Sequence, residues 1–138
     1  MINFYSETDF ELTEKEKTAS WISSIIASEG YETGEISYVF CDDAYLLKLN
    51  VRFLDHDTFT DIISFDYSVG KEINGEIYIS IERVRENAKE YSVSFLKELH
   101  RVIIHGVLHY CGYNDKNDEE AKRMREKENE SLAKLTEV

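Results

Sequence analysis

The segment FLKELHRVIIHGVLHYCGY, residues 95–113, constrains the fold more than any other part of the sequence. It follows Ser94, a residue type that caps helices. Between Leu99 and Cys111 its polar residues are His100, Arg101, His105 and His109. A helix that is apolar on nearly all sides belongs in the interior of a protein. The rest of the chain must therefore supply the layers that cover this helix.

Strands are predicted where β-branched and aromatic residues alternate or cluster. These stretches are INFYSE, GEISYVFCD, TDIISFDYS and EIYISI. The last two are joined by the short connection VGKEING, with Asn74-Gly75 at its end, which favours an antiparallel hairpin.

Helices are predicted around the strands. In LTEKEKTASWISSIIASEG, Thr13 and Glu16 have the spacing of a capping box, and Gly30 is expected to end the helix. After the last strand the chain is expected to be helical to its end, and Asn117 or Asp118 caps a final, highly charged helix. In that helix Met124, Leu132 and Leu135 are the apolar anchors.

The fold expected from this pattern is of the α+β class. It is a small mixed β-sheet of about four strands covered by about five helices, with the histidine helix buried at its centre. The chain of 138 residues has no proline and no Gly/Ser-rich linker, so one domain spanning residues 1–138 is expected.

The spacing of His105 and His109 predicts a metal site at the end of this helix. Residues four apart lie about 40° apart around a helix, so both imidazoles can meet one ion. Gly112 lets the chain leave the helix, which could bring Asp115 back as a third ligand. Three protein ligands leave a fourth position for water, the pattern of a catalytic zinc site.

The alternative is that both histidines are satisfied core residues and Asp115 is an ordinary turn residue. His100 lies about 140° around the helix from His105 and is not expected to be a ligand. Zinc peptidases of the H-E-x-x-H type carry their general base directly after the first histidine, where this chain has Gly106. This glycine argues against ordinary peptide hydrolysis.

The charge balance is acidic, with 28 Asp and Glu against 16 Lys and Arg and a formal net charge of −12. That charge opposes long-range attraction to nucleic acid or anionic lipid, and neither a membrane nor a DNA partner is expected. The start of the sequence does not resemble a signal peptide, so Cys41 and Cys111 are expected to be buried free thiols in the cytoplasm.

The segment HGVLHYCGYND resembles the signature of the YbeY family, H-G-x-L-H-x-x-G-Y-D-H. The resemblance carries the first two metal ligands over to His105 and His109. The position of the family's third ligand, a histidine, is occupied by Asp115. Aspartate is a competent zinc ligand, so a zinc site with an anionic third donor is expected.

The resemblance covers roughly residues 30 to 132, including the stretches GEIYISIERVRENA and DEEAKRMREKE. Upstream, LNVRFLDHDTFTDIISFDY is similar to the family's L-N-…-D-x-P-T-D-V-L-S-F and implies substrate contacts at Thr60, Asp61 and Ser64. Two positions differ: Phe59 replaces the family's proline, and Leu54 stands where the family generally has an RNA-contacting arginine. Arg52 and His56 lie near that position and are weak catalytic candidates.

The resemblance implies a metal-dependent endoribonuclease that acts on single strands, in 3′-end maturation of 16S ribosomal RNA and in ribosome quality control. It implies ribosomal RNA, the small ribosomal subunit and assembly proteins as partners. Two alternatives are a zinc metallopeptidase and a non-catalytic, metal-binding factor of ribosome assembly. The residue at position 106 distinguishes the nuclease from the metallopeptidase. The missing arginine leaves the non-catalytic assembly factor as an open alternative.

Overall fold

The computed structural model describes residues 1–54 and 60–135. Within these residues the chain forms four strands and five helices. The strands are β1 (Ile2–Ser6), β2 (Glu32–Cys41), β3 (Ile62–Asp66) and β4 (Glu72–Ser80). The helices are α1 (Lys15–Ser28), α2 (Asp43–Leu54), α3 (Ile81–Glu90), α4 (Phe95–Tyr110) and α5 (Asp118–Leu135).

The strands form one mixed sheet in the order β1-β2-β4-β3. Strand β2 pairs in parallel with both β1 and β4, while β3 and β4 are antiparallel. A mixed sheet of four strands with five helices confirms the predicted α+β class. None of the helices in the described ranges is both long and apolar enough to cross a bilayer.

The main core lies between the sheet and the helices α1, α4 and α5. Ile36, Tyr38 and Phe40 alternate along β2 and are fully buried on this face. The Tyr38 hydroxyl donates a hydrogen bond of 2.9 Å to the carbonyl of Ile103, which ties the sheet to α4. The indole of Trp21 on α1 donates to the carbonyl of Ser131 on α5, 2.7 Å away.

Helix α4 approaches the sheet closely at Gly106. A β-carbon at this position would lie 3.0 Å from Cδ1 of Ile77 and 3.1 Å from Cδ1 of Ile62. These distances are shorter than ordinary van der Waals contacts between carbon atoms. Glycine at position 106 therefore lets the helix pack against β3 and β4.

The hairpin between β3 and β4 differs from the predicted one in where it turns. Val69 and Glu72 exchange two backbone hydrogen bonds of 3.0 Å, so the turn is made by Gly70 and Lys71. Gly70 has a φ of 59°, which suits glycine. Asn74-Gly75 lies inside β4, where Oδ1 of Asn74 accepts a hydrogen bond of 2.7 Å from the backbone amide of Glu35.

The predicted capping box of α1 was wrong, whereas two other caps were confirmed. Helix α1 begins after Glu14, which has a φ of 54° and makes no side-chain cap. The side chains of Ser94 and Asn117 accept from the backbone amides three residues later, at 3.1 and 2.8 Å, and cap α4 and α5. Gly30 follows the end of α1, as predicted.

Candidate metal centre

Helix α4 presents His105 and His109 to one point beside the loop that follows it. The Nε2 atoms of His105 and His109 lie 3.4 and 3.5 Å from the same carboxylate oxygen of Asp115. One potential ligand atom from each residue lies within 4.8 Å of the others. The side chains are 18%, 29% and 42% exposed in chain order, so the cluster lies at the surface.

The backbone after α4 returns the chain towards the histidines. Gly112 has a φ of 99°, and its amide donates to the carbonyl of His109 at 3.0 Å. The amide of Tyr113 donates to the carbonyl of Leu108 at 3.1 Å. These two bonds form a Schellman motif, which needs a left-handed residue after the helix. The turn that the sequence predicted at Gly112 thus brings Asp115 to the imidazoles.

Both imidazoles are held through their other ring nitrogen. Nδ1 of His109 lies 2.8 Å from the carbonyl oxygen of Tyr113, and Nδ1 of His105 lies 2.6 Å from Oε2 of Glu128. A carbonyl or a carboxylate accepts from Nδ1–H, which leaves Nε2 with its lone pair. Each imidazole is therefore set in the form that binds metal ions.

The donor set fits a cation. In the tautomers that Tyr113 and Glu128 favour, the two Nε2 atoms and the Asp115 carboxylate are all acceptors, with no hydrogen between them. The separations of 3.4 and 3.5 Å exceed the usual length of a charge-assisted hydrogen bond. Residues 105, 109 and 115 thus form a possible metal site, as the sequence suggested.

Glu128 belongs to a buried ionic cluster between α4 and α5. Its side chain is 2% exposed, and its second oxygen accepts from Nη1 of Arg101 at 3.2 Å. Arg101 also pairs with Glu98, which is equally buried. Burial raises the pKa of Glu128, but hydrogen bonds from His105 and Arg101 and the charge of Arg101 outweigh burial and hold this pKa below its usual value.

Glu128 is a residue of the site that was not predicted from the sequence. A signal was present, because Glu128 lies four residues after Met124 and four before Leu132, on the apolar stripe of α5. A carboxylate at such a position faces the core and needs a charged or hydrogen-bonding partner there. For Glu128 the expected partner is a basic group on the helix that packs against α5.

The candidate substrate residues lie outside the cavity beside the cluster. A cavity of about 120 Å³ between α4 and α5 is lined by His105 and Asp115, but not by Thr60, Asp61 or Ser64. The Thr60 hydroxyl donates to the carbonyl of Ile62 at 3.4 Å. The Asp61 carboxylate accepts from the side-chain amide of Asn87 at 3.5 Å.

Ser64 faces the same side of the sheet as the core. It pairs with Ile77 on β4, and directly paired residues point to the same face, here towards α4. Arg52 lies exposed in the last turn of α2, which ends at Leu54. His56 and Phe59 lie outside the described residues, so the structure does not bear on His56 as a candidate.

His100 lies on another side of α4. Its ring packs edge to face against the indole of Trp21, with 5.8 Å between centroids. Burial lowers the pKa of His100 below its ordinary value. This packing places the His100 ring against α1.

The basic residues of α3 and α4 are largely paired with acids. Arg83 lies 2.9 Å from the Asp43 carboxylate, and Lys89 lies 4.0 Å from that of Glu86. Arg101 is held in the buried cluster. These pairings reduce the positive potential that a phosphate backbone would meet.

Residues 2–136 match the family model described as Endoribonuclease YbeY. A relative called Endoribonuclease YbeY from Flavobacterium johnsoniae is 57% identical over 133 residues, which cover 96% of each chain. One of the same name from Flavobacterium psychrophilum is 60% identical over 132 residues, covering 96% of this chain and 94% of the other. The solution structure of TM1509 from Thermotoga maritima has a TM-score of 0.71 and 29% identity, covering 98% of this chain and 89% of that one. The chain therefore belongs to the Endoribonuclease YbeY family.

Proposed function

We propose that this protein is a metal-dependent endoribonuclease that cleaves single-stranded RNA in the 3′-end maturation of 16S ribosomal RNA, and that it takes part in ribosome quality control. The main support for a metal site is the convergence of His105, His109 and Asp115, whose potential ligand atoms lie within 4.8 Å of one another. Support for the reaction comes from relatives that carry the name Endoribonuclease YbeY.

The proposed cofactor is one zinc ion, held by His105, His109 and Asp115. Two imidazoles and a carboxylate are ligands that zinc accepts. When bound, the ion supplies a Lewis acid for a water molecule or a phosphate oxygen. Within the chain, Tyr113 and Glu128 orient the imidazoles, and the exposed Asp115 leaves the site open to a large substrate.

The proposed substrate contacts are those that the family resemblance implies. They remain Thr60, Asp61 and Ser64, with Arg52 and His56 as weaker catalytic candidates. Of these, Ser64 lies on the face of the sheet that packs against α4, the helix that carries His105 and His109. The position of the family's arginine is Leu54, so another group must contact the phosphate.

The proposed partners are the small ribosomal subunit and its assembly proteins, with the whole chain acting as one domain. A net charge of −12 disfavours binding to bare RNA, and a ribosomal particle would supply further contacts. Free, buried Cys41 and Cys111 suit the reducing cytoplasm in which this assembly takes place.

The metallopeptidase alternative is weaker than the nuclease. Gly106 occupies the position of the peptidase base, and it packs against Ile62 and Ile77 of the sheet. A glutamate there would enter the core instead of reaching a water molecule at the metal.

The test is metal analysis of the purified wild type, His109→Ala and His100→Gln, where the last changes a histidine of the same helix outside the cluster. We expect about one equivalent of zinc in the wild type and in His100→Gln, and a strong loss in His109→Ala. Equal metal content in the wild type and His109→Ala would refute the site.

Cleavage is then compared for the same three proteins on single-stranded RNA that carries the 16S 3′ precursor, alone and within pre-ribosomal particles. Activity lost only in His109→Ala supports the nuclease and excludes a contaminant. A wild type that binds metal but cleaves neither substrate would indicate a non-catalytic assembly factor.

A further inference from the structure

We infer that Glu128 is a positioning residue for the proposed metal site, one whose negative charge strengthens metal binding through His105. The inference rests on the proposed function only in taking His105 as a ligand. It adds a carboxylate from α5 to a site whose three ligands come from α4 and the loop after it.

The contact between Glu128 and His105 is short and buried. Oε2 of Glu128 lies 2.6 Å from Nδ1 of His105, on the opposite side of the ring from the Nε2 that faces Asp115. The Glu128 side chain is 2% exposed, so water does not compete for this contact. A buried hydrogen bond to a charged partner is stronger than the same bond in solvent.

Two arginines orient the Glu128 carboxylate. Oε1 of Glu128 accepts from Nη1 of Arg101 at 3.2 Å, and Nη1 of Arg125 lies 3.7 Å from the same oxygen. With one oxygen held by guanidinium groups, the other is fixed towards His105. Arg101 therefore acts on the histidine through Glu128.

The two histidines have different partners at Nδ1. His109 donates to a neutral carbonyl, that of Tyr113, whereas His105 donates to a carboxylate. An anion at Nδ1 raises the basicity of Nε2 and stabilises the imidazole once it shares charge with a metal ion. The two ligands are thus unequal, and the charge of Glu128 should affect the binding of the ion through His105.

Glu98 provides a matched control. Glu98 and Glu128 are both 2% exposed, and both pair with Arg101. Only Glu128 contacts a histidine of the metal site, within the part of the chain that the structure describes. Glu98→Gln and Glu128→Gln therefore both remove a carboxylate charge from Arg101, and they differ in the contact with His105 and in the longer, half-exposed pair with Arg125.

The experiment measures Zn²⁺ affinity by competition with a chromophoric chelator, and stability by urea unfolding, for the wild type, Glu128→Gln and Glu98→Gln. We expect Glu128→Gln to weaken Zn²⁺ binding by about 10- to 100-fold. Glu98→Gln should stay within about twofold of the wild type, although the two variants lose similar stability. Equal affinities in the two variants would overturn the inference about Glu128 but would not count against the proposed metal site. A wild type that binds no Zn²⁺ would overturn both this inference and the proposed zinc site.

A second measurement needs no variant, in case Glu128→Gln does not fold. In zinc-loaded wild-type protein, nitrogen-15 spectra of the histidine rings should show a downfield, slowly exchanging Nδ1 proton on His105. Its counterpart on His109 should lie less far downfield, because a carbonyl is a weaker acceptor than a carboxylate. A His105 ring without an Nδ1 proton would overturn the inference.

Discussion

Nδ1 of His109 lies 2.8 Å from the carbonyl oxygen of Tyr113, so the loop that leaves α4 holds a side chain that α4 itself presents. The Schellman motif at Gly112 places that carbonyl, and the same turn carries Asp115 to the imidazoles. The shape of one turn thus affects the orientation of one proposed ligand and the position of another.

Replacing Gly112 with alanine should therefore weaken metal binding as well as folding. Gly112 has a φ of 99°, and a β-carbon in the left-handed region costs roughly 1–2 kcal/mol. Gly30→Ala is the matched control, because Gly30 ends α1 in the same motif with a φ of 84°, and a β-carbon there would meet no atom within 4 Å. We expect both variants to lose similar stability in urea and only Gly112→Ala to lose Zn²⁺ affinity; equal affinities would contradict the coupling.

Asp115→Asn should lose metal while keeping the fold. The Asp115 side chain is 42% exposed, so its replacement by a neutral residue of the same shape should change the free energy of unfolding by less than about 0.5 kcal/mol. We expect Zn²⁺ affinity to fall at least about tenfold. Asp115→His, which restores the family's usual donor, should keep the metal. Zinc titration of the apo proteins tests both, and unchanged affinity in Asp115→Asn would remove the carboxylate from the ligand set.

Gly106→Glu should unfold the protein instead of creating a peptidase. A side chain at this position meets Cδ1 of Ile77 and of Ile62, so the carboxylate would enter the core. A buried unpaired charge belongs to the class of substitutions that cost about 4 kcal/mol or more. Circular dichroism and a peptide cleavage assay with zinc provide the test. A folded variant with peptidase activity would show that α4 can move away from the sheet.

Stability should fall at alkaline pH because two buried thiols keep their protons in the folded state. Burial raises the pKa of Cys111 to about 11 and that of Cys41 to about 12, from an ordinary value of 9.0. Their contribution to stability is complete below pH 9, because both states then carry the protons. It is lost as the pH rises above 9, through about 11 for Cys111 and about 12 for Cys41, because the unfolded chain releases these protons first.

Urea unfolding of the wild type and of the Cys41→Ala, Cys111→Ala double variant between pH 8 and pH 11 tests this prediction. The wild type should lose stability more steeply across this range. Parallel pH profiles would show that the thiols do not contribute.

The proposed ligands could be predicted from the sequence because they depend on local geometry. His105 and His109 follow from helical periodicity, and the return of Asp115 follows from a glycine at the end of a helix. Glu128 is different, because its partner lies 23 residues away on another helix. That contact depends on how α4 and α5 pack, which a periodic pattern does not specify.

The hairpin shows the same limit in the sheet. Asn-Gly is a strong signal for a turn, yet Asn74 lies inside β4, where its side chain bonds to the backbone of β2. The register of β2 with β4 shifts between Thr33 and Ile36, and Asn74 occupies that irregularity. The tertiary contact overrode the local preference, and Gly70-Lys71 made the turn instead.

The contact between His105 and Glu128 joins α4 to α5. Binding of a metal ion to His105 and packing of α5 against α4 are therefore linked equilibria. An ion at 100 times its dissociation constant stabilises the form that binds it by about 2.7 kcal/mol. Part of that free energy should appear as slower amide exchange and slower proteolysis of α5. In a cell short of metal, α5 would be more exposed to proteases, and the abundance of the protein would fall with the metal supply.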